Sequence, residues 1–135
     1  MFNYTTNNKC VDIKISQIQN NSFKIKKALY LIIYILLENS VKFALPNTEI
    51  RINFIEDENN TTIVISNITE KITINDNNSL FERGVRGNNA KTLGSGIGLS
   101  YAKSLADGMS YPLIIETERY NSELDVFKVK ITINN

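Results

Sequence analysis

Histidine and tryptophan are absent from this 135-residue chain, cysteine occurs once, proline twice and glycine six times. Without histidine the chain holds no Ser-His-Asp or Cys-His nucleophilic site, no histidine-ligated metal and no imidazole acid–base chemistry. A single cysteine, Cys10, excludes an internal disulfide framework and a cysteine-based zinc site. An excess of one charge is missing too. The 15 basic and 14 acidic residues leave +1, which removes the broad electrostatic footprint of a nucleic-acid or polybasic membrane binder. The apolar run at residues 29–37 (LYLIIYILL) falls well short of the ~20 residues that span a bilayer. The N-terminal MFNYTTNNKC lacks a cationic stretch leading into an apolar core and cleavage site. Together these absences predict a reduced, cytoplasmic setting.

What remains is globular. A hydrophobic fraction of 42% with 21% charged residues argues against disorder. The length suits one domain, able to bury roughly two-thirds of its unfolded surface. Residues 1–10 read as a flexible leader and 11–135 as the single domain. Residues 11–15 (VDIKI) alternate as a short strand, with Val11, Ile13 and Ile15 on one face. From about residue 23 to 44, Ala28, Leu29, Ile32, Ile33, Leu36, Leu37 and Val41 recur at helical spacing, and the length of the segment favours a buried helix. Residues 49–55 alternate with Ile50, Ile52 and Phe54 inward, and 61–65 return as the second arm of a hairpin. Residues 67–74 predict a less regular continuation. The polar stretch at about 75–95 is long for a loop inside a compact domain, and such loops are more often lids than filler. Residues 97–107 have helical spacing, with Gly108 where a left-handed C-cap belongs. Residues 113–118 and 126–133 close the chain as strands. The order predicts an α+β fold, a two-layer sandwich whose mixed, mostly antiparallel sheet carries helices on one face.

Three segments can carry chemistry. Gly94-Ser95-Gly96-Ile97-Gly98-Leu99 ends the polar loop and opens a helix. Its glycines let backbone N–H groups approach an anion, and the helix start adds free donors and a positive dipole end. No GK[ST] follows, so it is not a P-loop, and on spacing alone it is equally a turn followed by a helix start. The second segment, Glu38-Asn39-Ser40-Val41-Lys42, sets Ile35, Glu38, Asn39 and Lys42 on one side of the long helix. There a carboxamide oxygen suits a hard cation and an ammonium suits phosphate, although polar residues also mark the solvated end of any helix. The third, residues 80–87 (LFERGVRG), places an apolar anchor before two arginines among glycines. That pattern suits a hinged lid delivering guanidinium groups to phosphate, or an ordinary exposed basic loop.

In this order LLENSVKFA, LFERGVRG and GSGIGLSYAKSLADG resemble the N box, F box and second glycine box of the sensor histidine kinase ATP-binding domain. That domain belongs to the GHKL superfamily, together with gyrase, chaperone and mismatch-repair ATPases. The resemblance implies a Bergerat-type ATP-binding fold, ATP and Mg²⁺ as cofactors, and transfer of the γ-phosphoryl group to a histidine. That histidine lies on a separate dimerisation or phosphoacceptor domain, with a response regulator downstream. It further implies that Asn39 binds Mg²⁺, that Lys42 touches phosphate and that Phe43 lines the nucleotide. Phe81 would seat the lid, and Arg83 and Arg86 would contact phosphate. Gly94, Gly96, Ile97, Gly98 and Leu99 would form the cradle.

Two positions depart from the family pattern. In relatives the first glycine box begins with an Asp that accepts from the adenine amino group; here Asn67 stands there and both glycines are missing. A neutral amide still accepts, at an expected loss of ~1 kcal/mol, and its NH₂ can instead donate to a guanine carbonyl, which leaves base selectivity open. One helical turn before Asn39, where relatives carry a polar residue, stands Ile35. Glu38 is only a candidate substitute, so weak intrinsic ATPase activity is predicted; phosphoryl transfer depends mainly on positioning and electrostatics. Three functions follow as alternatives: a histidine kinase catalytic domain acting on a histidine elsewhere, a degenerate nucleotide-binding regulatory module without transfer, and a serine kinase of the anti-sigma type. The arginine pair argues against the last.

Overall fold

The computed structural model describes residues 2–6, 9–15, 27–72 and 97–134. Six strands and two helices follow in the order β1 (Phe2–Thr6), β2 (Lys9–Ile15), α1 (Lys27–Phe43), β3 (Thr48–Glu56), β4 (Asn60–Glu70), α2 (Ile97–Gly108), β5 (Leu113–Arg119) and β6 (Leu124–Asn134). They build one mixed sheet in the order β1-β2-β3-β4-β6-β5. Among the described residues only β2 and β3 pair in parallel, which the helical crossover between them allows; the other four pairings are antiparallel. This is the α+β sandwich that the element order predicts.

Strands β2 to β6 turn side chains toward the helices. Val11 and Ile13, Ile50 and Ile52, Ile63 and Ile65, Leu113 and Ile115, and Val129, Ile131 and Ile133 form the sheet half of the core. Helix α1 lays Leu29, Ile32 and Leu36 across them, while α2 presents Ala102 and Ala106, whose small side chains let it approach closely. Fully burying each Leu or Ile stabilises by about 1.5–3 kcal/mol, so this layer dominates the folding energy. The other sheet face is covered by ion pairs. Lys14 Nζ lies 2.6 Å from Glu49, Lys128 Nζ 2.8 Å from Glu118, and Lys130 Nζ 2.8 Å from Glu116. Hydrogen bonds from Lys14 and then Arg51 hold the Glu49 carboxyl below the ordinary carboxylate value, and Lys128 does the same for Glu118. The β3–β4 and β5–β6 turns are each stitched by a side-chain oxygen. Asp57 Oδ1 accepts from the N–H groups of Asn59 and Asn60, and Asn121 Oδ1 from those of Glu123 and Leu124.

Three expectations are corrected. The N-terminal residues are not a frayed leader: β1 pairs with β2 from Phe2↔Ile13 to Thr6↔Lys9. Phe, Tyr and Thr have high strand propensity, and an edge strand needs backbone partners more than a buried face. Strand β4 does not lose regularity after Ile65; it runs on to Glu70 because β6 pairs with it over its whole length. The left-handed cap of α2 is Ser110, with φ 58°, and not Gly108, which ends the helix itself. Tyr111 N donates to Ala106 O at 2.9 Å and Ser110 N to Asp107 O at 3.1 Å, the bond pair of a Schellman closure. The predicted lid at about 75–95 lies outside the described residues, as does the start of the predicted long helix.

Candidate functional site

The last two turns of α1 carry Glu38, Asn39, Lys42 and Phe43. Asn39, Lys42 and Phe43 are half-buried, and Glu38 is exposed. The Glu38 carboxylate reaches Lys42 Nζ at 3.4 Å, one turn along the helix. Pro46 prevents the helix from continuing, since it has no N–H to give. The chain leaves through Asn47, whose φ of 62° is a left-handed conformation that Asn tolerates better than most residues. Ala44 N closes on Ser40 O at 2.9 Å, and Leu45 N then donates to Ile68 O at 3.0 Å. That last bond fixes the site's layout. The β3–β4 pairing extends along β4 only to Ser66, and the exit from α1 takes over the bare side of β4 beyond it. The polar end of α1 therefore lies against the second half of β4.

Asn67 lies in that half. Its register partner is Phe127 on β6, and it shares the helix-facing parity of Ile63 and Ile65. It is 2% exposed. Neither its Oδ1 nor its Nδ2 has a hydrogen-bond partner among the described residues. Buried amides are ordinarily satisfied, and leaving one unsatisfied costs about 1–3 kcal/mol per group, so a doubly orphaned carboxamide invites a polar ligand. One step further along, Asp125 is also buried, yet fully engaged. Its Oδ1 lies 3.0 Å from Arg119 Nε, and its Oδ2 accepts from Ile72 N at 2.8 Å. With Lys71 N bonded to Glu123 O at 3.2 Å, it clamps the exit of β4 onto the β5–β6 end.

Helix α2 begins at Ile97. Its first-turn N–H groups lack intrahelical acceptors and sit at the positive end of the helix dipole. Gly98 is exposed, and a Cβ there would stand 3.5 Å from Ile35 Cγ2, so Ile35 packs against the first turn of α2. Leu99 is half-buried and packs on the core. The two helices thus meet through Ile35 and Gly98, on the α1 face that one turn later bears Asn39. Gly94, Gly96, Phe81, Arg83 and Arg86 lie outside the described residues, and so does the side chain of Ile97.

No group of three or more His, Cys, Asp or Glu side chains converges on a cation site among the described residues. An ion held at Asn39 would take that one carboxamide oxygen and draw its other ligands from phosphate and water, a donor set that Mg²⁺ accepts readily. The charge-neutral, orphaned amide at Asn67 equally fits the edge of a purine. The sequence motifs single out Asn39, Lys42 and Asn67 but miss Asp125 and Ser40. Asp125 has the parity of the buried residues of β6, a signal that alternation alone could have supplied. Ser40 continues the buried stripe of Leu29, Ile32 and Leu36, and its Oγ is likewise unpartnered among the described residues.

No curated protein sequence matches the chain. Solved structures share its fold at low identity. The mycobacterial sensor histidine kinase MprB superposes with a TM-score of 0.68 at 17% identity, over 90% of this chain and 81% of that one. The catalytic domain of the histidine kinase ThkA gives 0.65 at 18%, over 90% and 80%. Full-length ShkA in complex with AMPPNP gives 0.66 at 15%, over 90% of this chain but only 25% of that one. A profile described as "Histidine kinase-, DNA gyrase B-, and HSP90-like ATPase" matches residues 24–133. It spans both helices and strands β3 to β6, including Asn39, Asn67 and the start of α2. The chain belongs to this family of histidine kinase-, gyrase B- and HSP90-like ATPases.

Proposed function

We propose that the chain is the ATP-binding catalytic domain of a two-component sensor histidine kinase, working in the cytoplasm on a histidine that another domain supplies. The observation that carries the reading is the buried, doubly unpartnered carboxamide of Asn67 beside the polar end of α1. A nucleotide base resting on Asn67 extends its phosphates toward Lys42 and the first turn of α2. Asn39 would hold a divalent ion there, and such an ion would supply charge neutralisation to the phosphate chain. An unprotonated imidazole nitrogen of the acceptor forms the new N–P bond as the bond to the β–γ bridging oxygen breaks, and ADP leaves. This chain has no histidine to phosphorylate, so the acceptor is necessarily elsewhere. The phosphoryl group then passes to a response regulator. The ShkA complex with AMPPNP supports the reading by likeness of fold.

The test is titration of the folded domain with ATP, with and without Mg²⁺, for the wild type and Asn39→Ala. ATP binding by the wild type should tighten with Mg²⁺, and the variant should lose most of that gain, about tenfold or more. A variant that keeps full Mg²⁺ dependence removes the metal role of Asn39. One contact favours a second reading, a nucleotide-binding regulatory module without transfer. Ile35 fills with an apolar contact to Gly98 the place where the resemblance expects a polar residue. ATP binding without phosphoryl transfer to histidine-bearing helices of the parent kinase selects that module.

A further inference from the structure

We infer that Asn67 gives the base pocket relaxed selectivity at the purine 6-position, so that it takes 6-oxo purine nucleotides as well as ATP. This inference rests on the nucleotide-binding reading and deepens it. A side-chain amide carries an acceptor and a donor on the same carbon, and a half-turn about χ2 exchanges them. In most buried amides one orientation is fixed because a protein partner prefers it. At Asn67 neither Oδ1 nor Nδ2 has a partner among the described residues, and the residue is 2% exposed. Among the described residues, no partner fixes which way the amide turns. Phe127 faces it across the strand pair, Ile65 precedes it on the same face, and both oxygens of the nearby Asp125 are engaged by Arg119 and Ile72.

The two orientations match the two kinds of purine. With Oδ1 forward, Asn67 accepts from the 6-amino group of adenine; with Nδ2 forward, it donates to the 6-oxo group of hypoxanthine or guanine. The base keeps one pose throughout, and only the amide turns. A carboxylate at the same position has no donor. It accepts from the 6-amino group and repels a 6-oxo oxygen, leaving that oxygen desolvated and unpaired, the situation in which buried sites discriminate most strongly. Residue 67 is thus the specificity-determining position, and the neutral amide is what broadens it.

The test measures dissociation constants of ATP and ITP for the folded wild-type domain and for Asn67→Asp, with circular dichroism confirming the fold. ITP is the decisive probe because it differs from ATP at the 6-position and N1 and lacks guanine's 2-amino group. The expected result is wild-type affinities for ATP and ITP within about tenfold of each other, and a shift of at least about tenfold toward ATP in Asn67→Asp. A wild type that binds ATP but disfavours ITP by more than tenfold overturns the inference while leaving the nucleotide reading intact. An unchanged ratio in a folded Asn67→Asp also overturns it. A wild type that binds neither nucleotide defeats both. Should the buried carboxylate unfold the variant, the wild-type ratio still decides. Asn67→Ser, whose hydroxyl also donates and accepts, then serves as the second variant and should keep the ratio within tenfold; a ratio beyond that overturns the inference.

Discussion

At the scale of single residues, Asn67 sets apo stability against ligand binding. Its two orphaned atoms sit in an apolar layer, so the unliganded domain carries their desolvation as a standing penalty. Asn67→Leu keeps the branching of the side chain and replaces both polar atoms with methyl groups. It should raise the stability of the free domain by about 1–3 kcal/mol, read from urea unfolding, and abolish the extra stability that ATP confers. A variant that loses stability instead would mean that the amide is satisfied within the fold. This residue is singled out by the family resemblance, in which Ile65-Ser66-Asn67 occupies the place of the first glycine box. Its isolation was not legible, since the absence of partners depends on what Phe127 and the exit from α1 bring alongside. Asp125 shows the converse: its parity on β6 marks it as buried, while its pairing with Arg119 requires the hairpin to be closed.

At the scale of elements, apolar periodicity specifies the strongly patterned segments, and tertiary pairing overrides local preference in the others. Helix α1 and strands β3 and β6 follow from their apolar patterns. The second half of β4 does not, because Asn67 and Glu70 are weak strand formers that β6 holds in register. The end of α2 differs from what its glycine predicts. Glycine is the residue that enters the left-handed region at least cost, yet the hydrogen bonds from Ser110 and Tyr111 close the helix two residues later. Ser110→Gly relieves the left-handed strain and should stabilise the domain by about 1 kcal/mol. Gly108→Ala points its Cβ into open space and should add about 0.4–1 kcal/mol. Guanidinium unfolding of both variants checks the pair. A left-handed Gly108 would reverse the second sign.

Across the whole molecule, stability depends on acidity through the outer face of the sheet. Glu49 and Glu118 have carboxyl groups held below their unfolded value of 4.5 by hydrogen bonds from Lys14 and Lys128, with Arg51 assisting Glu49. A depressed carboxylate contributes stability that is present above the unfolded value and is lost as pH falls through the folded one. The domain should therefore weaken as acid is added below about pH 4.5, and 1 M salt should shrink the effect, because these pairs are open to solvent. Urea midpoints between pH 7 and pH 3 measure it, and the double variant Glu49→Gln, Glu118→Gln should flatten the slope.

The same sheet has a second property that follows from the hairpin at its start. Strand β1 occupies the outer side of β2. Were it to peel away, the row of amide and carbonyl groups on β2 would stand open as a template on which a neighbouring chain could lay a strand of its own. The five residues of β1 thus act as a selvedge, moving the sheet's open edge from the seven-residue β2 to a shorter strand that offers a neighbour less to knit onto.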